Sequence, residues 1–556
     1  MTRRGVLRAA GHAVAYLVLL VGLLALTDLH VGWNLDDGAY AIQAKVLDQS
    51  SDWAYPYRHR DVDPGSRWAP VSHSELTDQG SYPFVRYPAW EQVIRASRWA
   101  FGDVVGLYVP AFFGAVAAAS LGGLLAHRLR PGAFAFGFWV VALGPMVVHS
   151  QALWAHTWLA ALGAVVALAL VRAVDRAESE VGWRQLGPPA VAALAAAVAA
   201  LLRKDGLLLA AAASGAGGLM ALVSPGSLWR RVSRAVPWAA PAAVGIAIAL
   251  VNGRWVDHLA PGGPAIDGPG DVDTALVGTG FAVGRLRGAT RSLVDGVGAA
   301  QAGTLLGVVG VALAITAGVV LSSSRRRRGD GIVLALVAVT VLLVRVAVAP
   351  SDLAGLLAAS PVIALGIGAW RRTSSPPAER AVLLFCSIEL ALVLVTQYPE
   401  GGARDWGGRY LFPLLVPVVV VAALTLARVL DRAPNWRDPA VAGAMALVVA
   451  LPTVAGLVAT ADLRANNQAA TDAALSTGAP TVIRMPRYLT RVSWRALPEA
   501  DWLSAADPAD AAEALTRLRP GRVDPIAVMG PGAAQVTAAG YTADVRSPDL
   551  VVFTPS

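Results

Sequence analysis

The stretch Val14–Leu29, VAYLVLLVGLLALTDL, followed at once by His30-Val31-Gly32-Trp33-Asn34-Leu35-Asp36-Asp37, decides the fold. An apolar run of this kind reads as a helix for hydrocarbon, and longer ones recur through most of the chain. Arg3, Arg4 and Arg8 precede the first run and hold the N-terminus on the cytoplasmic side. No small-residue cleavage site follows Leu29, so the segment reads as an uncleaved signal anchor. Two adjacent carboxylates then stand at the far mouth of the span, where a long polar loop opens.

Composition extends that reading to the whole chain. Of 556 residues, 55% are apolar and 15% are charged. The Ala/Leu/Val-rich runs lack the alternation of a lipid-facing barrel, and a bilayer demands an internally satisfied backbone, so the spans are expected to be helices. The fold class is an all-α polytopic membrane helical bundle. Spans are predicted near 13–30, 104–126, 132–149, 156–173, 187–202, 207–224, 236–252, 299–323, 331–349, 353–370, 381–397, 410–430 and 439–460, thirteen in all.

The net charge of +8 is not a nucleic-acid footprint. Basic residues gather in short loops, as at Arg128 and Arg130, Arg230, Arg231 and Arg234, and Arg325 to Arg328, and these alternate with loops lacking such runs. That is the positive-inside pattern of a plasma-membrane protein, and no nucleic-acid partner is expected.

The opposite, extracytoplasmic face carries loops 30–103, 252–298 and 397–409, longer than tight connections require, and a tail. The chain therefore divides into a membrane domain, 1–460, and a soluble extracytoplasmic domain, 461–556. A polar helix over 462–475, strands over 481–485, 525–529 and 550–554, and a helix over 508–518 give the tail a small α/β pattern. It holds no Gly-rich phosphate loop, metal spacing or Ser/His/Asp set, so capping or acceptor guidance is its expected role.

Cys386 is the only cysteine, which excludes an intramolecular disulfide and a cysteine metal cluster. The eight histidines show no HExxH spacing. His149 and His156 flank one short outer turn and are substrate-lining candidates.

Asp36 and Asp37 allow two readings. A partly desolvated carboxylate beside a second acid can have a raised pKa and serve as general base for a hydroxyl. Asp is also a preferred N-cap, and a helix over 39–47 follows, with Tyr40, Ala44 and Leu47 on one face. One residue can cap while the other acts. Loop 30–103 is rich in Trp and Tyr, which suits an interfacial belt and platforms for sugar rings, with Tyr40 another lining candidate. Residues 88–99 form an amphipathic helix, with Trp90, Val93, Ile94 and Ser97 on one side, expected along the membrane surface.

Arg203-Lys204-Asp205-Gly206 interrupts the apolar stretch 187–224 on the outer side, against the positive-inside bias. A phosphate at the interface would account for it, since Arg offers a fork and Lys a point charge; snorkelling from a helix end is the alternative. Tyr398 to Pro413 adds Arg404 and Arg409 on the same face, among glycines that let backbone approach a ligand.

Three segments carry a family resemblance: Asp36-Asp37 after the first span, the basic turn Arg203-Lys204-Asp205-Gly206, and the Gly-rich loop Trp406-Gly407-Gly408-Arg409-Tyr410 before a late span. Together they resemble the polytopic GT-C glycosyltransferases, which use polyprenyl-phosphate-linked sugars. The tail is similar to extra domains of actinobacterial cell-envelope arabinosyl- and mannosyltransferases. The resemblance implies that Asp36 is the base for an acceptor hydroxyl and Asp37 a positioning or metal-contacting partner. Arg203, Lys204, Arg404 and Arg409 would hold the donor phosphate, with Trp406 and Tyr410 lining the substrate. It implies inversion at the anomeric carbon, a polyprenyl-phosphate sugar donor, a glycan or glycolipid acceptor, and in some members a divalent cation (Mg or Mn).

Two rival classes share parts of this pattern. A lipid-linked glycan polymerase or ligase would have the outer loops and cations without needing the acid pair. A secondary transporter would show broken helices in repeated halves and midplane ionisable groups; Glu389 is the main acid deep in a span, Arg345 lies nearer an outer end, and no paired half-repeat is found.

Overall fold

The computed structural model of the chain describes residues 3–27, 31–32, 35–50, 53–70, 81–83, 87–177, 183–259, 293, 356–360, 362–363, 376–396, 409–431, 439–486, 489–519 and 523–556. The expected spans 299–323 and 331–349, most of 353–370, and nearly all of the loop beyond residue 259 lie outside the described residues, as do Arg404 and Trp406.

The protein is mostly helical, with one small sheet near its C-terminus. Among the described residues, five helical segments are long and apolar enough to cross a membrane: Arg3–Ala25, Val105–Leu129, His156–Arg176, Gly206–Val223 and Leu228–Leu259. Two more apolar helices, Gly187–Leu202 and Phe412–Arg428, are shorter. In chain order the helices are α1 (Arg3–Ala25), α2 (Leu35–Ser50), α3 (Pro88–Phe101), α4 (Val105–Leu129), α5 (Phe134–Ala142), α6 (Pro145–His149), α7 (His156–Ala177), α8 (Gly187–Leu202), α9 (Gly206–Val223), α10 (Leu228–Ala235) and α11 (Ala240–Leu259). Later come α12 (Pro377–Thr396), α13 (Phe412–Asp431), α14 (Pro439–Leu475) and α15 (Pro508–Leu518).

The bundle centre is α4 and α7, which pack on each other and on α13. Small residues make that approach possible: Ala115, Ala118 and Ala119 of α4 and Ala160, Ala164 and Ala167 of α7 are buried. α1 is the contrasting case, with only Tyr16, Leu20 and Leu24 buried, and with Val6, Leu7, Val14, Val18, Leu19 and Val21 exposed. Where one span was expected over 132–149, the chain forms two short helices. Gly144 is extended (φ −89°, ψ −152°) and Pro145 starts α6, where its missing N–H costs nothing. At nine residues α5 cannot cross a bilayer alone.

α3 is amphipathic as expected, yet its buried face differs from the expected one. Glu91 and Arg98 join Trp90, Ile94 and Ser97 inside, and Val93 is exposed. Arg98 is tolerated there because Asp48 and Asp103 accept from its guanidinium at 2.5 and 2.8 Å.

The C-terminal sheet consists of β3 (Thr481–Arg484), β4 (Asp501–Ser504), β5 (Ile526–Met529), β6 (Tyr541–Ser547) and β7 (Leu550–Pro555) in the order β4-β3-β5-β7-β6. β3 runs parallel to β4 and β5, and β7 pairs antiparallel with β5 and β6. α15 connects β4 to β5, capped by Asp507, whose carboxylate accepts from Asp510 N–H at 2.9 Å. The expected separate helix over 462–475 is instead the second half of α14, which runs unbroken for 37 residues.

A small hairpin in the first loop, β1 (Ala54–Pro56) with β2 (Ser81–Pro83), lies in the same region as the segment that stitches this loop to the sheet. Ser504 N–H donates to the Trp68 carbonyl at 2.8 Å, the Trp68 indole donates to Asp510 at 2.8 Å, and Arg67 pairs with Asp510 and Glu513 at 2.7 Å.

Candidate functional site

Asp36 and Asp37 occupy the first turn of α2 and do not precede it. Carboxylates there face the positive end of the helix dipole, a favourable place for charge. The pair separates in environment. Asp37 is buried, and its Oδ1 accepts from Leu153 N–H at 2.8 Å, so it anchors a distant loop where a cap for its own helix was the alternative expectation. Asp36 is half-buried at the edge of the same turn.

The loop between α6 and α7 is clamped from two further directions. The Trp90 indole donates to the Leu153 carbonyl at 2.7 Å, and Arg464 of α14 donates to the Gln151 carbonyl at 2.5 Å. His149 and His156, at the two ends of that loop, are buried with Trp154 and Phe412. The His149 and Phe412 ring centroids lie 4.1 Å apart, and Trp154 and His156 lie 4.9 Å apart. The two histidines thus form part of an aromatic cluster that backs the loop.

Arg203 is the C-cap of α8 and Asp205 the N-cap of α9. The turn is tight: a Cβ at Gly206 would fall on the backbone of Ala199 and Ala200, so only glycine lets α9 leave α8 at this angle. Arg203 is buried, donating through Nε to Asp205 Oδ2 at 2.9 Å with its guanidinium 4.8 Å from the Tyr87 ring centre. Such a held, stacked guanidinium is a fixed positive group, unlike a snorkelling side chain.

Tyr40, one turn along α2, ties these parts together. Burial pushes its hydroxyl pKa well above the usual value, and the Arg203 charge opposes that rise, while Tyr87, Asp36 and Glu91 reinforce it. One phenol therefore feels the acid of α2, the cation of the α8–α9 turn and a buried acid of α3. Glu91 is a residue that sequence reasoning missed. It is 1% exposed, its Oε2 accepts no hydrogen bond among the described residues, and burial pushes its carboxyl well above the usual range. The signal was present: Glu91, Ile94 and Arg98 share one stripe at helical spacing.

Lys204 is exposed and lines a separate cavity of about 260 Å³ with Asp205, Thr396 and Tyr410. Tyr410 belongs to the 3-10 turn Arg409–Leu411 that leads into α13, so the basic turn and the late motif share one cavity. Among the described residues no group of three or more His, Cys, Asp or Glu side chains forms a ready ligand set for the divalent cation that Asp37 was a candidate to contact.

The C-terminal region meets the chain on both sides of the acid pair, at Gly32 and at Gly38. Gly32 N–H donates to the Val492 carbonyl at 3.1 Å, and Asn467 of α14 donates to the Gly32 carbonyl at 3.1 Å. At Gly38 an added Cβ would fall on the Arg491 carbonyl, so α2 and the 3-10 turn Leu489–Ser493 meet backbone to backbone. No family model matches the chain, and no curated protein matches it.

Proposed function

We propose that the protein is a membrane glycosyltransferase of GT-C type that moves a sugar from a polyprenyl-phosphate donor to a hydroxyl of a glycan or glycolipid on the outer face of the cell membrane. The observation that carries this reading is the convergence of Asp36 and Arg203 on Tyr40. A half-buried carboxylate and a fixed guanidinium that both act on one phenol suit a reaction that takes a proton on one side and releases a phosphate on the other.

In this scheme the Asp36 carboxylate takes the proton of the acceptor hydroxyl. The acceptor oxygen forms the new bond to the anomeric carbon as the bond from that carbon to the phosphate oxygen breaks, with inversion. The leaving polyprenyl phosphate keeps the bonding pair, and Arg203 and Lys204 balance its charge. Arg409, at the start of its 3-10 turn, and Arg404 are further phosphate partners in the proposal. Asp37 positions the Leu153 loop. Thirteen spans and an extracytoplasmic C-terminal domain belong to the same reading.

The test is release of polyprenyl phosphate by the purified full chain supplied with polyprenyl-phosphate monosaccharides and an oligosaccharide acceptor. Transfer by the parent and its loss in Asp36→Asn is the expected result. Undiminished transfer by Asp36→Asn overturns the base assignment, and absence of transfer from every such donor favours a polymerase, ligase or transporter.

A further inference from the structure

A second cleft of about 400 Å³ opens between the C-terminal half of α2, the β1 strand and the edge of the sheet at β4. It is separate from the acid pair: Lys45 and Gln49 of α2 line it, about 14 to 20 Å along the helix from Asp36 at ~1.5 Å per residue. Its wall is built from Lys45, Tyr55, Arg58, Trp494, Glu499 and Asp501, with Tyr57 and Trp502 behind them.

Three polar groups there are left for a visitor. Asp501 Oδ2 accepts from His59 Nε2 at 2.6 Å, while its Oδ1 accepts from no donor among the described residues. The Tyr55 hydroxyl makes no hydrogen bond to a described residue. Lys45 makes no ion pair with one, although the charge of Glu499 reaches it. The aromatic frame, by contrast, is fixed: the Trp502 indole donates to the Ala496 carbonyl at 3.0 Å and the Tyr57 hydroxyl to Asp63 at 2.7 Å.

The balance of these groups defines a ligand class. Lys45 and Arg58 offset Glu499 and Asp501, so the lining selects for neither sign of charge. It presents donors and acceptors side by side against large aromatic rings, an arrangement suited to a neutral molecule with many hydroxyls and apolar ring faces. An ionic ligand would meet like charge on one side of the cleft. We infer that this cleft is an oligosaccharide-binding subsite, holding sugar units of a glycan chain away from the point of reaction. Its service as an acceptor subsite rests on the glycosyltransferase reading; its capacity to bind sugar does not.

Binding is measured on the purified full chain in detergent, with no lipid donor present, by isothermal calorimetry and saturation-transfer NMR using maltohexaose, mannohexaose and arabinohexaose as probes. At least one probe binds. Tyr55→Phe and Asp501→Asn together weaken that binding about tenfold or more, the loss of hydrogen bonds that include a charged one. Tyr55→Phe removes only a hydroxyl and keeps the frame, so an unchanged melting temperature separates lost contact from lost fold. Gly22→Ala, at a position in α1 where nothing lies within 4 Å, binds the probe as the parent does. Failure of all three probes to bind overturns the inference. So does binding that survives the paired substitution, or binding lost in Gly22→Ala. A chain that binds through this cleft yet transfers no sugar refutes the proposed reaction and leaves the subsite standing.

Discussion

Leu153 N–H donates to Asp37 Oδ1 across 116 residues of sequence, and this bond divides the labour of the acid pair. Asp37 holds a loop; Asp36, one residue before it, is half-buried and is the base of the proposed reaction. Asp37→Ala is expected to cost about 1–3 kcal/mol of stability, because a buried N–H loses a charged acceptor. Asp36→Asn is expected to leave the melting temperature close to the parent's and to lower transfer by about 10²–10⁴-fold, the usual contribution of a general base. Thermal melts in detergent and single-turnover transfer separate the two; equal destabilisation by both substitutions would contradict this division.

Glu91 makes stability depend on pH. Its folded pKa lies well above the ordinary 4.5 because of burial, so the folded chain binds a proton there that the unfolded chain releases. Its stabilising contribution is complete below about pH 4.5 and is lost as pH rises toward the folded pKa, at up to about 1.4 kcal/mol per pH unit. Glu91→Gln is expected to flatten the fall in melting temperature between about pH 5 and pH 7 and to raise stability at neutrality. Parallel curves for parent and variant would show that Glu91 is ionised in the folded chain.

The bundle was legible because bilayer chemistry writes long apolar runs into the sequence, and α1, α4, α7 and α9 fall where those runs are. The break at Gly144-Pro145 was less so, since hydropathy averages over a helix interruption that a single proline decides. In the sheet, β3, β5 and β7 follow apolar runs, whereas Asp501-Trp502-Leu503-Ser504 is too short to show alternation and Tyr541–Ser547 is largely polar and exposed. At the site, acids and cations announced themselves by position in a hydrophobic chain. Their partners Leu153, Gln151 and Gly32 offer only backbone atoms, which carry no residue-type signal.

Arg203 offers a direct test of geometry against charge. Arg203→Lys keeps the charge but loses the fork that meets Asp205 and the plane that lies over Tyr87. Donor kcat/KM is expected to fall about tenfold or more, corresponding to about 1.5–3 kcal/mol for a charge-assisted contact, while the acceptor KM stays near the parent's. Equal donor kinetics in variant and parent would remove Arg203 from the donor site.

Gly38→Ala probes the joint between α2 and the C-terminal region. The new methyl group would fall on the Arg491 carbonyl, and backbone cannot yield as a side-chain tip can. Faster proteolysis of the segment after residue 475 and reduced transfer are expected. Gly22→Ala in α1, where nothing lies within 4 Å, is expected to change neither and serves as the control. A Gly38→Ala chain as protease-resistant as its parent would mean that the joint adapts.

The unbroken α14 sets a phase as well as a distance. Its 37 residues rise about 55 Å in one rod that does not stretch. Arg464 and Asn467, three residues apart on neighbouring azimuths, reach the Gln151 and Gly32 carbonyls. Removing one residue between Pro452 and Arg464 would turn everything beyond it by about 100° and draw it in by about 1.5 Å. Both side chains would then swing off their targets together, so the register of this rod acts as a timing mark that keeps the far end of the chain in step with the Gln151 and Gly32 segments.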